Sequence, residues 1–460
     1  MKNSRRQFLR SAALAGGGLW ASQRAAAAEQ AQQQQMKDMP GMQHVHQEKK
    51  PARNENTVPA VSTPGIILPV DTPDVPNLAW EMDNAVKVFH LVAEPVNRQL
   101  VPFKMMEVWG YNGTCPGPTI QANQGDRVRI VFDNHLPEST TLHWHGLEVP
   151  PEMDGVPYIS QKPVPPGGRF VYEFTLHQEG TYFYHSHGAM QEMMGMIGLF
   201  ILHPEQAHQP RVDHDYGIVL QEWAILPNSN IPNSANMEFN WLTFNGVSAP
   251  AITPLLAKLG SRVRIRIVNL GMDHHPIHLH GNQFVITGTE AGRAPESTWR
   301  PENTVLVGVA QARDIEFDAK YAGDWMLHCH LPHHMMNSMS DLLGDRMITT
   351  AATNDPQALS QMQTLVESIG VPHVHHAPIA ADASSVAGFP QDAFMDMGMD
   401  AAVAKPENHG LPFNWSANMM GMMSLVRVLP AEKYNEILSM KKQGLGKKPA
   451  GKPASEQQHQ

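Results

Sequence analysis

The chain has 460 residues, of which 42% are hydrophobic and 17% charged, with 25 His, 28 Met and only 2 Cys. This length allows two or three domains with substantial cores and excludes a small disulfide-stapled scaffold. A formal net charge of -10 without a dense Lys/Arg block excludes a nucleic-acid groove, while imidazole and thioether in such numbers point to transition-metal chemistry, copper foremost.

In chain order, Ser4-Arg5-Arg6-Gln7-Phe8-Leu9 precedes an apolar run from Ala12 to Trp20 and small residues from Ala25 to Ala28. Residues 1–28 read as a twin-arginine signal peptide, which implies export to the periplasm. The apolar run is too short to span a bilayer, so no membrane span is expected. Residues 29–78, rich in Gln and Pro, read as a flexible arm. Residues 79–205 and 212–350 alternate short Val/Ile/Phe/Tyr runs with Gly, Pro and Asn turns, the pattern of two all-β sandwiches. Residues 351–460 read as a Met- and His-containing tail, largely irregular, with short helices near 356–367 and 430–441. No third sandwich is expected.

The two sandwiches are copies. Gly125-Asp126-Arg127-Val128-Arg129-Ile130 matches Gly260-Ser261-Arg262-Val263-Arg264-Ile265 at an offset of 135, and His143-Trp144-His145-Gly146 matches His278-Leu279-His280-Gly281 at the same offset. Tyr184-His185-Ser186-His187 matches Leu327-His328-Cys329-His330 at 143, so the second copy carries a longer loop. Six His-x-His units occur, where random order at this His content gives about 1.3. Two, at His44/His46 and His373/His375, fall in the arms; the other four sit at duplicated strand positions.

In a strand, residues i and i+2 share a face roughly 6.6 Å apart, so each unit aims two imidazoles at one place. Eight imidazoles can hold three coppers as 2 + 3 + 3 with coordination left open for an oxygen species. Cys329 points to the opposite face from His328 and His330 while staying covalently joined to both. On that face His275, His334 and Met339 complete a set of two His, one Cys and a weak thioether, the donors of a blue-copper site. The same offsets place Thr140, Ser186 and Gln191 in the first copy, with Met196 matching Met339, so blue copper is expected only in the second.

These motifs, together with His328-Cys329-His330-Leu331-Pro332-His333-His334, resemble the four signatures of multicopper oxidases over roughly residues 80–350, and the two-domain count is similar to that of small laccases. The resemblance implies tandem cupredoxin-like Greek-key sandwiches and four coppers per subunit equivalent. His143 and His278 would hold type 2 copper; His145, His185, His187, His280, His328 and His330 the type 3 pair; Cys329, His275 and His334, with axial Met339, type 1. It further implies one-electron oxidation of a reducing substrate and four-electron reduction of dioxygen to water. Asp154 resembles the acid that assists proton delivery, although an Asp-Gly turn reading competes. Met335 stands where several relatives carry a second acid. Two-domain relatives build the trinuclear site between neighbouring subunits, so a homotrimer is expected.

Phenols or aromatic amines are the leading donors, Cu(I) the alternative, and copper storage or carriage a weaker reading from a different class. Copper nitrite reductase is weaker again, because its thiolate would be expected where Ser186 stands. Methionines at 36–42 and 395–399 suit Cu(I) contact, whereas Met190, Met193, Met194 and Met196 read as core filling; Met419, Met420, Met422 and Met423 form a further cluster. Cys115 reads as a buried free thiol, and His274 and His333 as neighbours of ligands.

Overall fold

The computed structural model describes residues 68–102, 104–225, 229–237, 239–335 and 399–443, all within one unit. The signal sequence, most of the arm, Met339 and the helix expected near 356–367 lie outside the described residues.

Strand alternation builds the first sandwich. In the strand Arg127–Asn134, Val128, Ile130 and Phe132 are buried, while Arg127 and Arg129 reach Glu173 on the outer face at 2.8 and 2.6 Å. A buried Ile or Phe contributes about 1.5–3 kcal/mol and an exposed ion pair at most about 1, so the inward residues decide the register. This strand belongs to a five-stranded sheet ordered Trp80–Asp83, Val86–Val101, Arg127–Asn134, Arg169–Thr175, with Lys104–Tyr111 pairing with Val86–Val101. The facing sheet runs Gly117–Asn123, Ile197–His203, Gly180–Ser186, Leu142–His145. Between them Phe89, Phe132, Trp144, Tyr172, Tyr184 and Phe200 fill the core.

The second sandwich repeats this plan. Its larger sheet orders Trp241–Phe244, His214–Trp223, Arg262–Asn269, Gln311–Asp318, Phe284–Thr289 and Gly292–Arg293, with Pro301–Glu302 pairing with Phe284–Thr289. Its smaller sheet orders Leu255–Lys258, Met423–Leu429, Gly323–Cys329, His275–Leu279 and Thr304–Val307. Val128 faces Phe174 in the first copy and Val263 faces Phe317 in the second, so the duplication holds at the level of cross-strand pairs.

Residues 423–429 fall in the segment read from sequence as tail, yet they form a strand between Leu255–Lys258 and Gly323–Cys329. Six of its seven residues, Ser424 to Leu429, are buried, as expected of a strand covered on both faces. The helix expected at 430–441 spans Ala431–Lys442, starting just after Pro430, and Ile437 packs on Leu256 and Leu429.

The sandwiches share an apolar layer. Ile197, Leu199 and Ile201 face Val219, Val268 and Leu270, which explains why Ile197–His203 and His214–Trp223 bury almost every residue. Beside it, Thr181 of the first sandwich donates to Asp314 of the second at 2.7 Å, and Arg266 donates to Thr181 at 2.6 Å and to Asp215 at 2.8 Å. No helix of the described residues is long and apolar enough to cross a membrane.

Candidate metal centre

Two histidine quartets form where short strands end. Leu142–His145 pairs antiparallel with Gly180–Ser186 and sets His143 opposite His185. Leu142, Trp144, Tyr184 and Ser186 take the core face, which leaves His143, His145, His185 and His187 on the other. Ring centroids lie 5.3 Å apart for His143 and His185, 5.4 Å for His143 and His187 and 5.5 Å for His145 and His185. In the second copy His278 faces His328 across the His275–Leu279 and Gly323–Cys329 pairing. His278, His280, His328 and His330 follow at centroid separations of 4.8 to 5.7 Å.

The second nitrogen of several rings is held the same way in both copies. His143 Nδ1–H donates to the Asp154 carbonyl at 2.7 Å and His278 Nδ1–H to the Asn303 carbonyl at 2.6 Å. His185 and His328 donate Nδ1–H to the carbonyls of Ser186 and Cys329, at 2.7 and 2.9 Å. A carbonyl can only accept, so these rings keep Nε2 free as a lone-pair donor. His280 Nε2 and His328 Nε2 stand 3.0 Å apart, and the ligating atoms of His143, His145 and His185 lie within 4.8 Å of one another. Burial, then the charge of neighbouring His185 and His143, pushes His145 down to about 4, so this ring is neutral near pH 7 and able to ligate.

Asp154 lies at the first quartet. Its carbonyl holds His143, and its carboxylate Oδ1 is 3.4 Å from the same Nδ1. Gly155 makes the approach possible: at φ +82 it follows Asp154 with its Cα against the Leu142 carbonyl, which an added Cβ would meet at 1.8 Å.

The eight rings do not meet in one chain. Among the described residues, every ring contact between these histidines stays inside its own quartet, and His187, His280 and His330 are exposed.

A third group lies beneath the second quartet. Cys329, on the core face of its strand, places Sγ 3.4 Å from His334 Nδ1 and 3.7 Å from His275 Nδ1, and the two imidazole nitrogens are 3.0 Å apart. All three residues are buried, and Cys329 has no disulfide partner. Burial pushes the thiol up to about 12, so a cation is what would hold it as thiolate. Two imidazoles and a buried thiolate suit copper. At the equivalent place in the first sandwich, Thr140 and Ser186 both donate to Gln191 Oε1, at 2.7 and 2.5 Å, and Gln191 donates to Glu138 at 2.7 Å. These hard, mutually satisfied groups offer no comparable donor set.

The register reassigns one correspondence. Sequence offsets pair Met196 with Met339, which lies outside the described residues. Cross-strand pairing instead sets Ile197 opposite His185 and Met423 opposite His328, which makes Met422 the structural counterpart of Met196. The backbone agrees: Ser186 N–H donates to the Met196 carbonyl and Met196 N–H to the Gln191 carbonyl, just as Cys329 N–H donates to Met422 and Met422 N–H to His334.

Sequence reasoning also missed Glu222, whose carboxylate Oε2 lies 3.2 Å from His275 Nε2 with both side chains fully buried. Its signal was a second acid, after Asp215, in a strand whose residues 215–223 are all buried. Of the methionines read as core filling, Met196 is fully buried while Met190 is exposed. Met395, Met397 and those at 36–42 lie outside the described residues. Cys115 is buried, with its thiol pushed up to about 12 by burial. His274 accepts the Val309 N–H at 3.0 Å, and His333 is exposed.

Comparisons with known proteins agree with this architecture. Family models described as multicopper oxidase match residues 94–207 and 226–343. Copper resistance protein A of Pseudomonas syringae pv. tomato is 39% identical over 112 residues, 24% of this chain and 18% of that protein. Laccase-2 of Botryotinia fuckeliana is 31% identical over 276 residues, 53% of this chain and 46% of that protein. The matched stretches thus span less than half of these relatives. A crystal structure of a blue copper oxidase from Nitrosomonas europaea superposes with a TM-score of 0.50 at 28% identity, covering 55% of this chain and 81% of that one.

Proposed function

The chain belongs to the multicopper oxidase family, and on that premise we propose that it is an exported oxidase that couples one-electron oxidation of a small reducing substrate to reduction of dioxygen to water. The observation that carries this reading is the strand Gly323–Cys329: Cys329 meets His275 and His334 on its buried face, while its two neighbours His328 and His330 belong to a quartet that reaches the surface at His280 and His330. Copper would supply one-electron oxidation at the thiolate group and dioxygen reduction at the quartets.

The chain's own residues divide the work. His275, Cys329 and His334 would hold the type 1 copper, with Met422 rather than Met339 as the thioether beside them. His143 and His278 would hold type 2 copper, and His145, His185, His187, His280, His328 and His330 the type 3 pair. Cys329 joins the two sets through covalent bonds, since His328 and His330 are its peptide neighbours. Asp154 orients His143 and offers a carboxylate for proton delivery beside it. A cluster of eight imidazoles requires the first quartet of one copy to meet the second quartet of another, and a three-membered ring satisfies every quartet, with four coppers per subunit. The exposure of His187, His280 and His330 supports that assembly.

Phenols and aromatic amines are the proposed donors, with the likeness to a laccase in support. Oxidation of Cu(I) in the periplasm is the second reading, favoured by the likeness to copper resistance protein A. Storage or carriage of copper would leave the Cys329 linkage without a task. The deciding experiment is oxygen uptake by the copper-loaded protein with 2,6-dimethoxyphenol and with Cu(I) as separate donors. Uptake with neither donor overturns the oxidase reading, and uptake with Cu(I) alone selects the second.

A further inference from the structure

The type 1 set proposed above leaves one charged group nearby without a role. Glu222 sits at the end of the strand His214–Trp223 with its side chain fully buried. A lone buried carboxylate is costly, by several kcal/mol on the order of magnitude for an ion taken out of water, and persists only where it is well hydrogen-bonded. Here it is. Glu222 Oε2 lies 3.2 Å from His275 Nε2, and Oε1 accepts the backbone N–H groups of Met272 and of Asp273, the latter at 2.7 Å.

Those two amides place a second carboxylate. Asp273 Oδ2 stands 3.4 Å from His334 Nε2. Both imidazoles that face Cys329 through Nδ1 therefore meet a carboxylate at Nε2, and Glu222 holds the loop that carries the other acid. Gly271 leaves room for it: an added Cβ would fall 2.0 to 2.3 Å from the Glu222 carboxylate. The arrangement goes with the thiolate rather than with the fold. Strand register makes Pro95 the counterpart of Glu222 in the first sandwich, where Thr140, Ser186 and Gln191 replace the ligands.

We propose that Glu222 is the positioning residue of the His275–Cys329–His334 centre. It accepts the Nε2–H of His275, which fixes the tautomer whose Nδ1 lone pair points toward Cys329, and it clamps residues 271–273 so that the Asp273 carboxylate stands beside Nε2 of His334. Its buried negative charge favours the more positive state of a bound metal and holds the reduction potential of the centre down. This rests on the copper reading of that centre.

The test uses the full chain loaded with copper, comparing wild type with Glu222→Gln and Gly271→Ala. Glu222→Gln keeps shape and removes charge; Gly271→Ala keeps the charge and displaces it. Both variants are expected to shift the visible thiolate absorption and the electron paramagnetic signal of the centre and to raise its reduction potential, with unchanged copper in the quartets. A potential and spectrum identical to wild type in both overturn the proposal. For a reading that needs no variant, nitrogen NMR of the copper-free wild type is expected to find His275 protonated on Nε2 at neutral pH, and protonation on Nδ1 overturns it. Wild type that takes up copper without any visible thiolate absorption defeats the copper reading itself, a different outcome from a wild type that is blue and variants that match it.

Discussion

The carbonyl of Met422 accepts the Cys329 N–H at 3.0 Å, repeating the 3.2 Å bond from Ser186 to Met196 in the first sandwich. Met422 is fully buried in the second core, beside the thiolate set. The Met422→Leu substitution is close to volume-conserving and is expected to cost less than about 1.5 kcal/mol of stability. It should alter the visible spectrum of the copper-loaded protein and raise the reduction potential of its thiolate centre, whereas Met339→Leu should leave both alone. Redox titration of the two variants checks this; a shift from Met339→Leu alone returns the axial role to Met339.

Cys329→Ser removes the only thiol of the His275–Cys329–His334 group. Visible absorption and donor oxidation are expected to vanish while far-ultraviolet circular dichroism stays that of the wild type. The new hydroxyl can donate to the Nδ1 lone pair of His334, which faces Sγ at 3.4 Å, so the copper-free variant should stay within about 1 kcal/mol of wild type in urea unfolding. Donor turnover that survives the substitution refutes the route through Cys329.

A cluster shared between chains predicts complementation. His187→Ala damages the first quartet and His330→Ala the second, so each variant alone should be inactive. Refolded together as equal mixtures, random association restores about a quarter of the interfaces with both quartets intact. Recovery near that fraction of wild-type oxygen uptake is expected. No recovery in mixed rings verified by native mass spectrometry excludes a site between chains.

Acid should destabilise the copper-free protein in a defined window. Burial, then Arg266, pushes His203 down to about 3, while burial lowers His145 and His334 to about 4. Below an ordinary histidine pKa of about 6.5 the unfolded chain binds protons that these buried rings refuse, so stability rises with pH through this range. It is fully present above pH ~6.5 and falls as pH drops toward 4 and 3, by up to about 1.4 kcal/mol per unit for each ring. Thermal unfolding at pH 7 and pH 5 checks the sign: a melting temperature that holds or rises at pH 5 contradicts it.

The histidine quartets were legible because their information is local. Spacing of two residues in a strand sets His143 with His145 and His328 with His330 on one face and turns Cys329 to the other, wherever the strand ends up. Duplication at offsets of 135 and 143 added the partner strand for each. Glu222 and Met422 were not legible in the same way. Met422 reaches Cys329 only because Met423–Leu429 returns to pair with Gly323–Cys329, and an offset cannot see a return made after a long insertion.

The amino-acid sequence by itself determined the two-sandwich plan, the family and which imidazoles face together, since alternation and internal repeats act over neighbouring residues. Tertiary structure decided that the Met422 backbone is hydrogen-bonded to Cys329, which carboxylate holds His275, and that the two quartets stay apart within one chain. Those outcomes depend on sheet pairing and on the packing of one sandwich against the other, where residues far apart in sequence are brought within a hydrogen bond by burial of surfaces that neither segment could bury alone.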